Sequence, residues 1–179
     1  IDILKKQETM NLNNVESQAI DRSLARAYWI EAYAFARMGH LVRSIEANQR
    51  CLGYARRGEL LAAQSHALND VAFGYARLGQ FSVALDLAEE GLKIREGLGL
   101  DHFVGLSQNT LGAIKFLNDQ PHRGRINSEQ ALRIFERLDD RRGMGLAHLA
   151  LGQINGRIGE VRTAEEFLQK SLEHYQKAE

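Results

Sequence analysis

Apolar side chains recur at helical spacing in successive stretches of this chain. One clear stripe lies near the C-terminal end, where five apolar residues are separated by three or four positions: Val161, Ala164, Leu168, Leu172 and Tyr175. This spacing places all five on one face of an α-helix. The helix-favouring residues alanine, leucine, glutamate, arginine and glutamine are abundant, whereas proline occurs once, at Pro121. The pattern predicts an all-α fold.

Glycine stands between successive helical stretches. Gly39, Gly79 and Gly159 are separated by multiples of forty residues, and Asp119 holds the intermediate position. Glycine adopts the left-handed backbone conformation that ends a helix without steric cost, and aspartate tolerates it better than most residues. Pro121 suits the first turn of a following helix. These positions predict tight turns that each join two helices.

Four further positions repeat at the same forty-residue step. Three hold only small residues: Ala32, Ala72, Gly112 and Gly152; Ser44, Ala84, Gly124 and Ala164; Cys51, Gly91, Ala131 and Ser171. The fourth holds only leucine: Leu52, Leu92, Leu132 and Leu172. Helices approach to about 8–10 Å where small side chains lie between them. The small positions therefore predict the crossing of paired helices, and the leucines are expected to fill the groove beside it.

Each repeat is thus a helix, a tight turn and a second helix. Four repeats are placed at residues 24–63, 64–103, 104–143 and 144–179. Residues 1–23 are expected to be a partial helix of a preceding repeat or an N-terminal extension. Leu4 and Leu12 support the first alternative, because they lie forty residues before a small position and a leucine position.

A capping box is the predicted start of the first long helix. Asn13 is followed three positions later by Glu16, and this pair can satisfy two free backbone amides at a helix N-terminus. The helix is expected to run from about Val15 to Met38.

Composition narrows the function classes. The 179 residues include 23 Lys plus Arg and 23 Asp plus Glu, so no net charge draws the chain to nucleic acid or to an anionic membrane. No apolar run approaches the roughly 20 residues that cross a bilayer, and the first residues lack a secretion signal. We expect a cytoplasmic protein. The single cysteine, Cys51, has no partner for a disulfide or a zinc site.

No catalytic motif is present. The six histidines are scattered without metal-site spacing: His40, His66, His102, His122, His148 and His174. The close glycines of "GLGLDHF" and "RRGMGLAHLALG" match no nucleotide-binding loop and are interpreted as turns between repeats. We expect no enzyme activity, no cofactor and no metal.

The stretch "NDVAFGYARLGQFSVALDLAEEGL" resembles the tetratricopeptide repeat in seven residues: Ala72, Tyr75, Gly79, Phe81, Ala84, Gly91 and Leu92. "LALGQINGRIGEVRTAEEFLQKSL" repeats much of this pattern. The resemblance implies a right-handed α-solenoid of about four repeats whose first helices line a concave groove. The common period is about 34 residues, so here either each helix is about one turn longer or the link between repeats is extended. The longer variety is similar to sensor regions of bacterial signalling ATPases and transcription activators, and to animal scaffolds that orient the spindle.

Such a groove can hold an extended peptide against one or two residues of each first helix. Ten residues are expected to contribute: Trp29, Tyr33, Arg37, Asn69, Phe73, Arg77, Asn109, Phe116, Gln153 and Arg157. The arginines suit the carboxylates of an acidic peptide, because a guanidinium offers a fork of donors. The asparagines suit a peptide backbone. The aromatic residues suit apolar pockets, and Trp29 is the expected exposed anchor.

Structural roles compete with this interpretation. Arginine near a helix C-terminus is favoured by the helix dipole and by free carbonyl groups. The asparagines could tie neighbouring helices together, and the aromatic residues could pack between repeats.

The leading hypothesis is a non-enzymatic protein-interaction module, the sensor or scaffold part of a larger bacterial signalling or regulatory protein. Its expected partner is a protein or peptide, with an acidic peptide favoured by the arginines. The alternatives are a structural spacer or self-association unit, with homo-oligomers formed through the C-terminal helix, and a scaffold of the spindle-orientation type. An RNA-binding helical repeat is disfavoured by the balanced charge.

Overall fold

The structure is a computed structural model that describes the backbone of residues 2–178 and the side chains of residues 14–178. Within that range the chain forms eight α-helices and no strand. The helices are α1 Asp2–Arg37, α2 Leu41–Arg57, α3 Leu61–Arg77, α4 Phe81–Gly97, α5 Asp101–Leu117, α6 Pro121–Arg137, α7 Arg141–Ile158 and α8 Val161–Gln176. The predicted all-α fold is confirmed.

Helix length explains the forty-residue step. Helices α2 to α6 each contain 17 residues, and three residues separate each from the next. Two such helices with their turns make one repeat, so the long period comes from longer helices and not from an extended link. The first helices of successive repeats begin at Leu61, Asp101 and Arg141, three residues before the boundaries expected from the sequence.

The predicted turns inside the repeats are left-handed. The backbone φ is +78° at Gly39, +79° at Gly79 and +92° at Gly159, and Asp119 adopts +56°. The prediction for all four positions is confirmed. Aspartate replaces glycine in the third repeat without changing the turn.

A second set of left-handed residues lies between the repeats. Glu59, Gly99 and Asp139 have φ of 55°, 65° and 49°. Gly99 lies in "GLGLDHF", so the interpretation of that stretch as a turn between repeats is confirmed. The positive φ of Glu59 and Asp139 was not predicted, because neither residue is glycine.

The interpretation of "RRGMGLAHLALG" as a turn is wrong, because Gly143 and Gly145 lie inside α7. A Cβ atom on Gly143 would lie 2.2 Å from the ring of Phe135, and one on Gly145 would lie 3.2 Å from the ring of Tyr175. These glycines make room for aromatic rings. Asp140 caps the N-terminus of this helix: its carboxylate accepts a hydrogen bond from the amide of Gly143 at 3.0 Å.

The predicted start of the first long helix is also wrong. Helix α1 begins at Asp2 and continues without a turn to Arg37, so no helix starts at the expected capping box. The side chains of Asn13, Leu4 and Leu12 lie outside the described residues.

The chain divides into two compact units, the first ending at Asp70 and the second beginning at Val71. In the first unit α2 crosses α1 at the predicted small residues, where the Ser44 hydroxyl donates to the carbonyl oxygen of Ala32 at 3.0 Å. Both residues are buried.

In the second unit α5 and α6 cross at two glycines. A Cβ atom on Gly124 would lie 2.7 Å from the carbonyl oxygen of Gly112, so neither position has room for a larger residue. All twelve predicted small residues are buried. The leucine position is less uniform: Leu52 is buried, Leu92 and Leu132 pack against core clusters, and Leu172 is 51% exposed.

Candidate functional site

An open pocket of about 590 Å³ lies on the face of the second unit where α3, α5 and α7 present their C-terminal halves. Its lining consists of Phe73, Arg77, Ala113, Phe116, Leu117, Gln153 and Arg157. Five of these seven are predicted site residues. We call this site the three-helix pocket.

Helical spacing and the forty-residue repeat explain how these residues meet. Phe73 and Arg77 are one turn apart on α3, and the equivalent pairs on α5 and α7 are Ala113 with Leu117 and Gln153 with Arg157. In each helix the residue before the first member of the pair is a buried small residue: Ala72, Gly112 or Gly152. That small residue faces the helix crossing. The next residue along the helix is the first member of the pair, and it points to a different side, toward the pocket.

The two residues that sequence reasoning left out of the site are Ala113 and Leu117. Ala113 stands forty residues after Phe73, and Leu117 stands forty residues after Arg77. The forty-residue repeat could therefore have identified both as pocket residues. They were omitted because their side chains are neither aromatic nor polar.

The two arginines of the pocket differ in their partners. Arg157 Nη2 lies 3.2 Å from Asp119 Oδ1, and its guanidinium carbon lies 5.8 Å from the ring centre of Phe116. Arg77 is exposed and has no ion pair or hydrogen bond with any residue that the structure describes. The pocket therefore has one cation already neutralised at its edge and one available for a ligand.

The apolar part of the pocket is accessible. Phe73 is 41% exposed and Leu117 is 42% exposed, while Phe116 is half-buried. Apolar and aromatic side chains that share one concavity with a few polar groups are typical of ligand pockets.

The predicted asparagines do not reach the pocket. Asn69 and Asn109 are half-buried, and the Oδ1 atom of each is shielded from solvent without a hydrogen-bond donor among the described residues. Neither asparagine side chain forms a hydrogen bond with a described residue, so the structure does not support the alternative that they tie neighbouring helices together. Asn109 lies one helical turn before Ala113, next to the pocket.

The predicted residues on α1 lie in the first unit. Trp29, Tyr33 and Arg37 are all exposed, with Trp29 at 46% and Tyr33 at 61%. Trp29 lines a separate pocket with residues of α1 and α3.

Cys51 is a buried cysteine of the first unit, outside the three-helix pocket. Burial, followed by the nearby Asp70, raises the pKa of the Cys51 thiol to about 11, which keeps it protonated and unreactive at neutral pH. Among residues 14–178, no three His, Cys, Asp or Glu side chains are placed to hold a metal ion. Within the same residues, no helix combines the length and the apolar character needed to cross a membrane.

A family model matches part of the second unit. Residues 103–177 match the family model described as tetratricopeptide repeat. This segment consists of tetratricopeptide repeats. No curated protein is significantly similar in sequence to the chain.

Solved structures share the tetratricopeptide-like fold over most of the chain. BtubC (BKLC) from P. vanneervenii has a TM-score of 0.70 and 19% identity, over 86% of this chain and 64% of its own. A Rap protein complexed with competence and sporulation factor has a TM-score of 0.78 and 13% identity, over 86% of this chain and 43% of its own. PlcR of Bacillus thuringiensis, in complex with the peptide PapR7 and DNA, has a TM-score of 0.65 and 16% identity, over 97% of this chain and 70% of its own. The chain thus spans less than two thirds of BtubC and of the Rap protein, and the likeness at these identities concerns the fold.

Proposed function

We propose that this chain is a non-enzymatic protein-interaction module that binds an acidic peptide or partner segment in the three-helix pocket. The observation that carries the proposal is the joint placement of Phe73, Phe116 and Arg77 around one open concavity. An apolar ligand side chain can cover the aromatic rings, and a ligand carboxylate can accept hydrogen bonds from the unpaired guanidinium.

The size of the pocket suits a peptide side chain and the backbone next to it. Ligand pockets usually enclose about 300–1,000 Å³, and the three-helix pocket falls within that range at about 590 Å³. Its lining includes no carboxylate, so an acidic segment meets no like charge on the pocket surface. Asp119 stands at the edge, where it pairs with Arg157.

The neighbouring structures support a regulatory role. PlcR is in complex with a peptide and DNA, and the Rap protein is complexed with competence and sporulation factor. We infer that this chain serves as a sensor or scaffold segment of a larger bacterial signalling protein in the cytoplasm, where its pocket reads a peptide or a partner segment.

A peptide array tests the proposal. The array carries peptides with an aromatic residue flanked by Asp or Glu, together with matched peptides in which the acidic residues are Asn or Gln. Wild type should retain a subset of the acidic peptides, and Arg77→Gln should bind them about tenfold more weakly. Phe73→Ala should weaken binding of both the acidic and the amide forms.

The matched control is Arg133→Gln, since Arg133 is an exposed arginine on α6 that does not line the pocket. It should bind as wild type does. If the triple variant Arg37→Ala, Arg77→Ala and Arg157→Ala binds the acidic peptides as tightly as wild type does, the proposed role of the arginines in binding is refuted.

Self-association is the second candidate function, and the surface of α8 favours it. Four apolar residues of the C-terminal stripe remain exposed: Val161 at 62%, Leu168 at 42%, Leu172 at 51% and Tyr175 at 36%. Light scattering that rises with concentration in wild type, and loss of this effect in Leu172→Glu, would support it. A monomer at all concentrations would exclude it.

A further inference from the structure

We propose that the exposed side of α1 is a docking surface for an amphipathic helix of a partner protein, a helix that carries an arginine beside its apolar stripe and a glutamate next to that arginine. The α1 face, as we call this surface, consists of Ala27, Ile30, Glu31 and Ala34. Their spacing of three or four residues places them on one side of the helix, and all four are exposed.

The later repeats show what covers this side of a first helix. In the second unit α4 packs on α5, and α6 packs on α7. The residues that stand eighty and 120 positions after three members of the α1 face are all buried: Ser107 and Ala147, Leu111 and Leu151, Ile114 and Ile154. Leu111, from α5, shares a core cluster with Ala84 and Ala88 of α4. The same side of α1 is exposed, so the occupant that fits it is a helix.

Arg95 of α4 shows that this side of a first helix accepts an arginine. Its guanidinium donates to the Ser107 hydroxyl at 2.7 Å and to the carbonyl oxygen of Phe103 at 3.0 Å. Ser107 is the α5 equivalent of Ala27. An arginine brought to the same place on α1 would lie one helical turn from the Glu31 carboxylate, at a position where α5 has leucine. The α1 face therefore offers an ion pair to the arginine of a docking helix.

A groove between α1 and α2 borders the α1 face and contains charges of both signs. A pocket of about 210 Å³ in this groove is lined by Glu31, Phe35, Arg43, Glu46, Ala47 and Arg50. The four charged side chains are exposed and form no ion pair or hydrogen bond with any described residue. Each guanidinium lies over an aromatic ring, Arg43 over Phe35 at 5.7 Å and Arg50 over Tyr28 at 5.6 Å. The groove thus offers two carboxylates and two guanidinium groups to a ligand.

The mixed charge selects the occupant. A polyanion such as nucleic acid would place phosphates against Glu31 and Glu46, which repel them. A helix with an arginine and a glutamate three or four residues apart instead pairs its arginine with Glu31 and its glutamate with Arg43 or Arg50. Charge complementarity therefore favours a helix with alternating charges along one edge.

The rest of the α1 face suits close helix packing. Ala27 and Ala34 have short side chains, so a second helix can approach α1 to about 8–10 Å. Ile30 is 55% exposed, and its apolar surface would be buried by the leucines of the docking helix. The contact is then helix on helix, with ion pairs along one edge.

The probe is a fluorescein-labelled peptide amide of three copies of Leu-Glu-Ala-Leu-Arg-Glu-Ala. In a helix its leucines form one stripe, with the arginines beside the stripe and a glutamate next to each arginine. The matched peptides are the charge-swapped Leu-Arg-Ala-Leu-Glu-Arg-Ala and the probe with proline in place of both alanines of its middle heptad. Fluorescence anisotropy should show saturable binding of the probe. The charge-swapped peptide should bind about tenfold more weakly, because like charges meet at Glu31. The proline peptide should not bind, because proline breaks the helix.

Substitutions on the α1 face separate docking from folding. Glu31→Arg should abolish the preference for the probe over the charge-swapped peptide, and Arg43→Glu with Arg50→Glu added to it should reverse that preference. Ala27→Gln should weaken binding of the probe about tenfold, because the longer side chain holds the helix away. Glu89→Arg is the matched control, a charge reversal at an exposed position of α4, and should keep the wild-type preference. Circular dichroism on each variant shows whether its helices are intact.

Four results would overturn the proposal: equal binding of the probe and the charge-swapped peptide to wild type, equal binding of the probe and the proline peptide, an unchanged preference in Glu31→Arg, or no saturable binding at millimolar peptide. Saturable binding of oligouridylate, or self-association that Glu31→Arg removes, without binding of the probe would assign the α1 face to RNA or to a second copy and would also overturn it. Arg77→Gln should leave binding of the probe unchanged, so the test is independent of the three-helix pocket.

Discussion

Arg157 Nη2 lies 3.2 Å from Asp119 Oδ1, and Asp119 is the one residue at its repeating turn position that is not glycine. The carboxylate that replaces glycine in the third repeat therefore also neutralises an arginine of the three-helix pocket. We therefore expect Asp119 to compete with an acidic ligand for Arg157.

Removal of this internal competitor should strengthen binding of acidic peptides. Asp119→Asn keeps a residue that tolerates the left-handed turn and removes the negative charge. Because exposed ion pairs are worth up to about 1 kcal/mol, affinity should increase by up to about fivefold in a calorimetric titration. Asp139→Asn is the control, since Asp139 also adopts positive φ but does not line the pocket. Equal affinity in both variants would show that Asp119 does not compete with the ligand.

The crossing of α5 and α6 should tolerate no added methyl group. In Gly124→Ala the new Cβ atom would lie 2.7 Å from the carbonyl oxygen of Gly112, which must move. We expect the free energy of unfolding to fall by about 1–3 kcal/mol.

Gly156→Ala is the matched control for this substitution. The nearest atom to its new Cβ is the Cβ of Ala164 at 3.8 Å, an ordinary contact in the same unit. Alanine is more favourable than glycine in the interior of a helix, so the free energy of unfolding of this variant should rise by about 0.5–1 kcal/mol. Thermal unfolding measures the stability of both variants. A Gly124→Ala protein as stable as wild type would mean that α5 and α6 are farther apart than described.

The turn between the third and fourth repeats should be improved by glycine. Asp139 adopts a φ of 49°, so Asp139→Gly should stabilise the protein by about 0.5–1 kcal/mol in denaturant unfolding. Glu89→Gly, an exposed position within α4, should instead destabilise it by about 1 kcal/mol. Destabilisation of similar size in both variants would contradict the described turn.

Much of the fold could be predicted from residues whose roles are local. Gly39, Gly79 and Gly159 identify turns because positive φ excludes most other residues, and small residues identify helix crossings for the same steric reason. The positive φ of Glu59 and Asp139 was missed because neither residue is glycine. Gly143 was misread because its partner, the ring of Phe135, is brought to it only by folding.

Arg95 is a charged residue whose burial could not be predicted from the sequence. It is 2% exposed and donates to the carbonyl oxygen of Phe103 at 3.0 Å and to the Ser107 hydroxyl at 2.7 Å. Charged residues are rarely buried, and the equivalent position holds alanine, phenylalanine or tyrosine in the other repeats. In the candidate site, aromatic and arginine residues were predictable from their repeating positions, whereas the pairing of Arg157 with Asp119 depends on tertiary contact.

Acid should destabilise the packing of α8 on α7. The rings of His148 and His174 stack with centres 5.1 Å apart, and His148 is buried. Burial, followed by His174, lowers the pKa of His148; Lys170 acts in the same direction, while Glu136 and the carbonyl of Met144 oppose it. The unfolded chain therefore binds this proton more readily than the folded chain does. The stability from neutral His148 is complete above the ordinary histidine pKa and is lost as the pH falls below it.

Thermal unfolding between about pH 7.5 and about pH 5.5 measures this effect. The midpoint should fall with pH in wild type, and His148→Leu should reduce that fall, since leucine is the residue at the equivalent position of the second repeat, Leu68. His122→Gln, an exposed position on α6, should keep the wild-type dependence. The same fall in all three proteins would assign the pH dependence to other groups.

The most direct test of peptide binding in the three-helix pocket is an NMR titration of the labelled chain with the tightest-binding acidic aromatic peptide of the array. Amide shifts should change at Phe73, Arg77, Ala113, Gln153 and Arg157, and Arg77→Gln should weaken the changes at all of them. Shifts confined to the exposed stripe of α8, or no shift at saturating peptide, would contradict the account.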